Sequence, residues 1–93
     1  MKILQSRSFE RKVKKFNKAQ KVQLDKQIKR IAETPNLGIE KKGDLRGVYV
    51  WKFKIKTIQY LLAYRVTDES LELIMIGPHE NYYRDLKKNI NNT

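Results

Sequence analysis

The first third of the chain has apolar residues at the spacing of an amphipathic helix. Two sets follow the i, i+4, i+7 pattern of a helix stripe: Phe9, Val13 and Phe16, then Leu24, Ile28 and Ile31. Either Ser6 or Ser8 is expected to cap the first helix, and Asn17 the second. The second helix is expected to end at Thr34-Pro35, because the residue before a proline avoids helical dihedral angles. The pattern predicts a hairpin of two helices.

From Val48 onward the apolar period changes to that of a strand. Over 49–56 one face is formed by Trp51, Phe53 and Ile55 and the other by Lys52, Lys54 and Lys56. Further elements are predicted as strands at 2–5, 59–66 and 71–76, a loop at 36–47 and a short final helix at 82–90. The fold class is therefore α+β, with one domain spanning 1–93. Two N-terminal helices pack on one face of a small, mainly antiparallel sheet, and the lysines lie on the other face.

The composition adds a strong positive charge to this fold. The 93 residues include 21 Lys and Arg against 10 Asp and Glu, which gives a net charge of +11. Such a charge favours polyanionic partners, although a merely soluble basic protein would share it. Because cysteine is absent, disulfides, thiolate catalysis and Cys-based zinc sites are excluded. The N-terminus lacks an apolar signal core and no apolar run approaches a membrane span, so a cytoplasmic location is expected.

The predicted row of Lys52, Lys54 and Lys56 is a candidate for binding chemistry. Period-two spacing places neighbouring side chains roughly 7 Å apart on one face, close to the phosphate repeat of an extended RNA strand. The row would equally suit a solvated face, or an edge strand that lysines protect against aggregation.

Two arginines are further candidates for RNA binding. Arg65 lies on the next predicted strand and would join the lysine face if the pairing register allows. Arg46 could bind a phosphate through two parallel hydrogen bonds, or it could pair with Asp44 within the loop.

The segment Gly77–Arg84 carries the most reactive set of side chains and the only histidine in the sequence. His79 can accept or donate a proton near neutral pH, and Arg84 could stabilise charge that develops on phosphorus. Tyr82 and Tyr83 could stack on bases or donate hydrogen bonds, although core packing is expected for one of them. The carboxylates are scattered, so neither a metal nor another cofactor is expected. The set suits attack of a ribose 2′-hydroxyl on its own 3′-phosphate.

Four motifs, taken in order, resemble the RelE/ParE superfamily of bacterial toxin–antitoxin toxins over nearly the whole chain. They are Gly43–Tyr49, Trp51–Lys54, Tyr60–Asp68 and Gly77–Leu86. The resemblance implies two N-terminal helices on a small antiparallel sheet, together with a cognate antitoxin that wraps the toxin. For the RelE branch it implies a metal-independent ribonuclease that cuts mRNA on the ribosome.

The resemblance also implies roles for individual residues. Lys52 and Lys54 match the RelE lysines that bind and activate the RNA phosphate. Either Tyr82 or Tyr83 is the nearest match to a C-terminal tyrosine of RelE. Related branches use a histidine near the position of His79 as an acid or a base.

Two positions depart from the RelE pattern. RelE has an arginine where this chain has Leu61, and an arginine in the C-terminal segment of RelE lacks a clear counterpart here unless Arg84 or Arg65 substitutes for it. The departures favour the histidine-using variants and give His79 more weight. The sequence therefore favours a ribosome-dependent mRNA endoribonuclease that inhibits translation. The alternatives are a ParE-like inhibitor of DNA gyrase on the same fold and an inactive module that only binds antitoxin.

Overall fold

Three helices and five strands make up the part of the chain that the computed structural model describes, residues 2–78 and 82–91. In chain order they are β1 (Lys2–Gln5), α1 (Arg7–Lys14), α2 (Lys18–Glu33), β2 (Ile39–Glu40), a 3₁₀ turn (Gly43–Leu45), β3 (Tyr49–Ile55), β4 (Ile58–Val66), β5 (Ser70–Pro78) and α3 (Tyr82–Asn91). The predicted α+β class, the helical hairpin and the short final helix are confirmed. None of the helices in these ranges is long and apolar enough to cross a membrane.

The strands form one sheet in the order β1-β5-β4-β3-β2. The meander β3-β4-β5 is antiparallel, and β1 adds to its edge in parallel with β5. The central position of β4 agrees with its apolar residues on both faces. The expectation of a plain loop over 36–47 is wrong, because Ile39 and Glu40 pair with β3 and a 3₁₀ turn follows. A strand of two residues is too short to leave an alternating pattern.

The helix starts are set by side-chain caps. The Ser6 hydroxyl accepts a hydrogen bond from the Phe9 N–H at the start of α1 and donates one to the Ile74 carbonyl. Asn17 and Gln20 exchange side-chain and backbone hydrogen bonds at the start of α2, which is a capping box. The predicted caps at Ser6 and Asn17 are therefore confirmed, and Thr34 ends α2 as expected.

The face of the sheet that α1 and α2 cover, here called the helix face, carries the larger core. Its buried side chains are Phe9, Phe16, Leu24, Ile31, Phe53, Ile55, Tyr60, Leu62, Tyr64, Leu71, Leu73 and Ile76. Tyr64 is fully buried there. Its hydroxyl accepts a hydrogen bond from the Gly38 N–H at 2.8 Å and donates one to the Pro35 carbonyl at 2.7 Å. This side chain ties the connection after α2 to the central strand.

The opposite face, here called the α3 face, is partly covered by the last helix. A second core lies beneath α3 and consists of Leu45, Val48, Val50, Leu61, Ala63, Met75, Tyr82 and Leu86. The sequence predicted that this face carries lysines, and the apolar residues of α3 and β4 cover much of it instead. The lysines are confined to the end of the face near the β3–β4 turn.

Candidate nucleic-acid interface

Lys52 and Lys54, here called the lysine pair, lie side by side on the α3 face at the end of β3. Both side chains are exposed, and the register places Lys52 opposite Leu61 and Lys54 opposite Gln59. Within residues 2–78 and 82–91, no ion pair involves either lysine. The two exposed positive groups lie roughly 7 Å apart on one face, a spacing that suits contact with an anionic chain.

Lys56 does not continue the lysine pair as the sequence predicted. The strand ends at Ile55, which pairs with Ile58, so Lys56 and Thr57 form a two-residue turn. Lys56 has a φ of 57°, a left-handed conformation that such tight turns require. Its side chain belongs to the turn, and the period-two row contains two lysines, not three.

A row of residues across the sheet links the lysine pair to the start of α3. Lys52 pairs with Leu61, and Leu61 pairs with Gly77 of β5, so the three positions lie on one face. Leu61 is fully buried. The Tyr82 ring packs over Gly77, where a Cβ atom would lie 3.7 Å from the ring. The first residue of α3 therefore lies two strands from Lys52, roughly 10 Å away.

The end of β5 brings the chain to the same end of the sheet as Lys54. The last paired residue is Pro78, opposite Tyr60, and Tyr60 is the neighbour of the Gln59 that pairs with Lys54. His79, predicted as the acid or base, lies outside the described residues, and its role stays a prediction. The described backbone stops at Pro78 and resumes at Tyr82, and both residues lie at this end of the sheet.

Tyr82 is a core residue, so its predicted contact with RNA is wrong. Its side chain is 1% exposed, and its hydroxyl donates a hydrogen bond of 2.7 Å to the Met75 carbonyl. Burial raises the pKa of the Tyr82 phenol far above its ordinary value, and the neighbouring Tyr83 adds to the rise. The aromatic ring fixes α3 on the sheet, which agrees with the expectation that one of the two tyrosines packs in the core.

Tyr83 and Arg84 occupy the first turn of α3 with more access to solvent. The Tyr83 ring is half-buried, packs edge-on against Tyr82 with centroids 5.6 Å apart and lies 4.9 Å from the Lys41 ammonium. The Arg84 side chain is 71% exposed and lies 3.9 Å from an Asp85 oxygen. An exposed pair at this distance holds the guanidinium loosely, so Arg84 can turn toward another anion.

The structure does not bring Arg65 or Arg46 to the lysine pair. Arg65 shares the α3 face, but it lies four residues along β4 from Leu61, roughly 13 Å away, and it pairs with Glu72 at 3.7 Å. Arg46 is exposed after the 3₁₀ turn. The expected partner of Arg46, Asp44, lies 3.9 Å from the ammonium of Lys87.

A cleft lined by several basic residues lies away from the lysine pair. It has a volume of about 560 Å³ and opens between α1 and α3 at the edge of β5 that β1 leaves uncovered. The basic residues that line it are Arg11, Lys12, Lys15 and Lys88. It offers positive charge from four side chains, so we treat it as a second basic surface. Within residues 2–78 and 82–91, no three carboxylate, imidazole or thiol side chains are grouped to hold a metal ion.

The sequence reasoning did not single out Gln59, which lies opposite Lys54. The register that pairs them follows from the tight turn at 56–57, and Ile55 and Ile58 flank that turn as its last pair. A turn of two residues between alternating strands fixes every cross-strand pair, but Lys56-Thr57 lacks the residues typical of such a turn, so the pairing of Gln59 with Lys54 could not be read from the sequence.

The fold agrees with comparisons to known proteins. Residues 3–87 match the family of ParE-like toxins of type II bacterial toxin–antitoxin systems. The chain belongs to this family. No curated protein matches it in sequence.

Solved structures with the same fold include three of the toxin RelE from E. coli. The free state of a double arginine-to-alanine mutant has a TM-score of 0.72 and 24% identity over 96% of each chain. The intact RelBE toxin–antitoxin complex gives 0.67 and 23%, with 85% of this chain and 96% of that chain covered. Isolated RelE gives 0.65 and 23%, covering 94% and 96%. At this identity the likeness shows the fold.

Proposed function

We propose that this toxin is an endoribonuclease that cuts mRNA on the ribosome and so inhibits translation. The observation that carries the proposal is the lysine pair, two exposed ammonium groups with no ion pair among the described residues, at the end of the α3 face where β5 ends and α3 begins. The fold is shared with E. coli RelE, and the family consists of toxins.

The proposed reaction is attack of a ribose 2′-hydroxyl on the adjacent 3′-phosphate. The hydroxyl loses its proton as the new O–P bond forms, and the bond to the 5′-oxygen breaks as that oxygen gains a proton. The products are a 2′,3′-cyclic phosphate and a 5′-hydroxyl. Lys52 and Lys54 stabilise the added negative charge on phosphorus, an effect that each positioned cation can supply at the level of about 100-fold or more.

The C-terminal segment supplies the remaining roles in this proposal. His79 transfers the proton to or from a reacting oxygen, which requires a group that titrates near neutral pH. Arg84 adds a mobile positive charge at the start of α3, and Tyr83 offers a half-exposed ring on which a base can stack.

The openness of the surface supports dependence on the ribosome. Lys52 and Lys54 are exposed side chains on a sheet, and flexible ammonium groups alone do not hold an RNA strand in one geometry. A rate enhancement from positioning requires the reacting atoms to be fixed within ångströms. A ribosome that already holds the mRNA would supply that constraint.

The proposal includes a cognate antitoxin as the regulating partner. The related RelE is found in a complex with an antitoxin. The net charge of +11 suits an acidic partner, and the exposed apolar residues of β1, Ile3 and Leu4, would suit a segment that folds on binding. The outcome would be a toxin–antitoxin hetero-oligomer.

Mapping of mRNA ends in a purified translation system tests the activity. The purified toxin should generate new 5′ ends within ribosome-bound mRNA, with 2′,3′-cyclic phosphate on the upstream fragment. A single 2′-deoxy nucleotide at a mapped site should abolish cleavage there, because the attacking hydroxyl is missing. Intact mRNA, or cleavage that persists at the deoxy position, would refute the proposal.

The family match also favours a second candidate, inhibition of DNA gyrase, since the family is that of the ParE-like toxins. A supercoiling assay with purified gyrase distinguishes the two. Inhibited supercoiling with intact mRNA would support the gyrase candidate, and no effect in either assay would indicate an inactive module that binds antitoxin.

A further inference from the structure

Among the described residues, the side chain beside the lysine pair on the α3 face that can donate a neutral hydrogen bond is that of Gln59. It lies directly opposite Lys54 in the antiparallel register of β3 and β4, so the Cβ atoms of the two residues are roughly 5 Å apart on the same face. The side chain is half-buried, which restricts its rotamers more than those of the exposed lysine. Within residues 2–78 and 82–91, no hydrogen bond uses its amide group.

Gln59 is the only hydrogen-bonding side chain that β4 presents near the lysine pair. Of the β4 residues on this face, Leu61 and Ala63 are apolar and fully buried, and Arg65 pairs with Glu72 at the other end of the strand. Because β4 lies between β3 and β5, a phosphate bound between Lys54 and the end of β5 would lie above β4. The residue of β4 beneath it would be Gln59.

The position on the central strand gives Gln59 a bridging geometry. Strand β3 carries Lys54 on one side, and β5 ends at Pro78 on the other side, one residue short of the row of Lys54 and Gln59. Strand β4 is separated from β3 on one side and from β5 on the other by roughly 4.8 Å. The Gln59 amide therefore lies between Lys54 and the end of β5.

We propose that the Gln59 side chain donates a hydrogen bond from its amide N–H₂ to a non-bridging oxygen of the scissile phosphate and so positions it beside Lys54. The proposal rests on the ribonuclease function proposed above. An amide suits this place because it carries two N–H donors in a fixed plane, and being neutral it needs no counter-charge in a half-buried site. At Leu61, the next position along this face of β4, a donor is missing.

The first test measures single-turnover cleavage of ribosome-bound mRNA by purified variants. Gln59→Ala should lower the rate at saturating ribosome by about tenfold, with the half-saturating ribosome concentration changed less than twofold. Gln59→Glu should be slower than Gln59→Ala, because a carboxylate repels the phosphate. The matched control is Gln5, an exposed glutamine on the edge strand β1. Gln5→Ala and Gln5→Glu should retain the wild-type rate.

A sulfur substitution separates a contact with phosphate from a structural role. Sulfur accepts hydrogen bonds weakly, so a phosphorothioate at the cleavage site should slow the wild-type protein for one of its two stereoisomers. Gln59→Ala should lose that difference between stereoisomers, while Gln5→Ala should keep it. A wild-type rate in Gln59→Ala, or an unchanged stereoisomer difference, would overturn the proposal even if the protein cleaves mRNA.

A binding measurement keeps the two proposals distinguishable. Titration of the wild-type protein with a 2′-O-methyl RNA trinucleotide, which cannot be cleaved, should shift the side-chain amide signals of Gln59 in a ¹⁵N–¹H spectrum and leave those of Gln5 in place. If the protein leaves mRNA intact but the Gln59 signals shift, the ribonuclease proposal fails, and the positioning role of Gln59 is reduced to a contact with bound RNA. Unmoved Gln59 signals, when RNA shifts other residues or none, contradict the contact.

Discussion

The helix face and the α3 face of the sheet are closed to different extents. On the helix face, α1 and α2 cover side chains from the end of β3 to the start of β5, including Ile55, Leu62 and Leu71. On the α3 face, a helix of ten residues covers the middle, and Lys52 and Lys54 stay exposed beside it. Strand β3 contributes to both faces. Its odd-numbered residues face α1 and α2, and its even-numbered residues change along the strand from the buried Val50 to the exposed Lys52 and Lys54.

The difference separates the face that is buried along its length from the face to which we assign the proposed RNA contact. A closed face gains free energy from burial along its whole length, but it leaves no surface for a substrate. The half-covered face buries Tyr82 and Leu86 beneath α3 and leaves the lysine pair exposed. Substitutions on the two faces should therefore differ in what they change.

Truncation of one buried leucine on each face gives the largest expected effects on stability. Leu62→Ala removes a fully buried side chain from the central strand on the helix face and should lower the free energy of unfolding by about 4 kcal/mol. Leu86→Ala, equally buried but on α3, should cost about 2 kcal/mol, because a terminal helix can shift to fill the cavity. Urea denaturation measures both, and a larger loss for Leu86→Ala would reverse the comparison.

Removal of one tyrosine hydroxyl on each face should give the next largest effects. Tyr64→Phe loses two hydrogen bonds and leaves the buried Gly38 N–H without its acceptor, which should cost about 2–3 kcal/mol. Tyr82→Phe loses the single bond to the Met75 carbonyl and should cost about 1 kcal/mol. Denaturation midpoints at pH 7 compare the two, and equal losses would mean that the hydroxyl contacts of Tyr64 are weaker than their geometry indicates.

Alkaline pH should weaken the fold through the same two side chains. Burial raises the pKa of both Tyr64 and Tyr82 above the ordinary value near 10. Between the unfolded and the folded pKa, the unfolded chain has released the proton and the folded chain retains it. The free energy of unfolding is therefore unaffected below pH 10 and falls above it, by up to about 1.4 kcal/mol per pH unit for each tyrosine.

A phenylalanine variant isolates one share of this alkaline effect. Tyr82→Phe should show a shallower fall of stability above pH 10 than the wild type, so that the two denaturation curves converge. Equal slopes for wild type and variant would show that the pKa of Tyr82 is the same in the folded and the unfolded protein.

The smallest expected effect belongs to the ion pair that joins the 3₁₀ turn to α3. Asp44 and Lys87 are both largely exposed and 3.9 Å apart, so Asp44→Asn should change the free energy of unfolding by less than about 0.5 kcal/mol. A loss above 1 kcal/mol would indicate that this pair, and not the Tyr82 ring, fixes α3.

Much of the fold could be predicted because its elements have clear periodicity. The stripe of Phe9, Val13 and Phe16 and the capping residues Ser6 and Asn17 predicted the helical hairpin correctly. The two-residue strand at 39–40 and the parallel addition of β1 to β5 could not be predicted, because pairing between distant segments leaves no local pattern.

The candidate site was only partly readable from the residues. The alternation around Lys52 and Lys54 predicted their shared face, but it continued one residue too far, since nothing in an alternating pattern marks Lys56 as the turn. Tyr82 and Tyr83 are chemically alike, and which one is buried depends on how α3 sits over Gly77. Arg65 is in phase with Leu61, but it lies four residues further along β4, so sharing a face does not bring it to the lysine pair.

The most direct test compares two pairs of lysines on the two basic surfaces. Lys52→Ala/Lys54→Ala removes the lysine pair, and Lys12→Ala/Lys15→Ala removes the same charge from the cleft between α1 and α3. The measurement is the single-turnover rate of mRNA cleavage at saturating ribosome. We expect the first variant to lose at least about 100-fold while its thermal midpoint stays unchanged, and the second to cleave at the wild-type rate. Equal rates for the two variants would contradict the assignment of the α3 face as the catalytic surface.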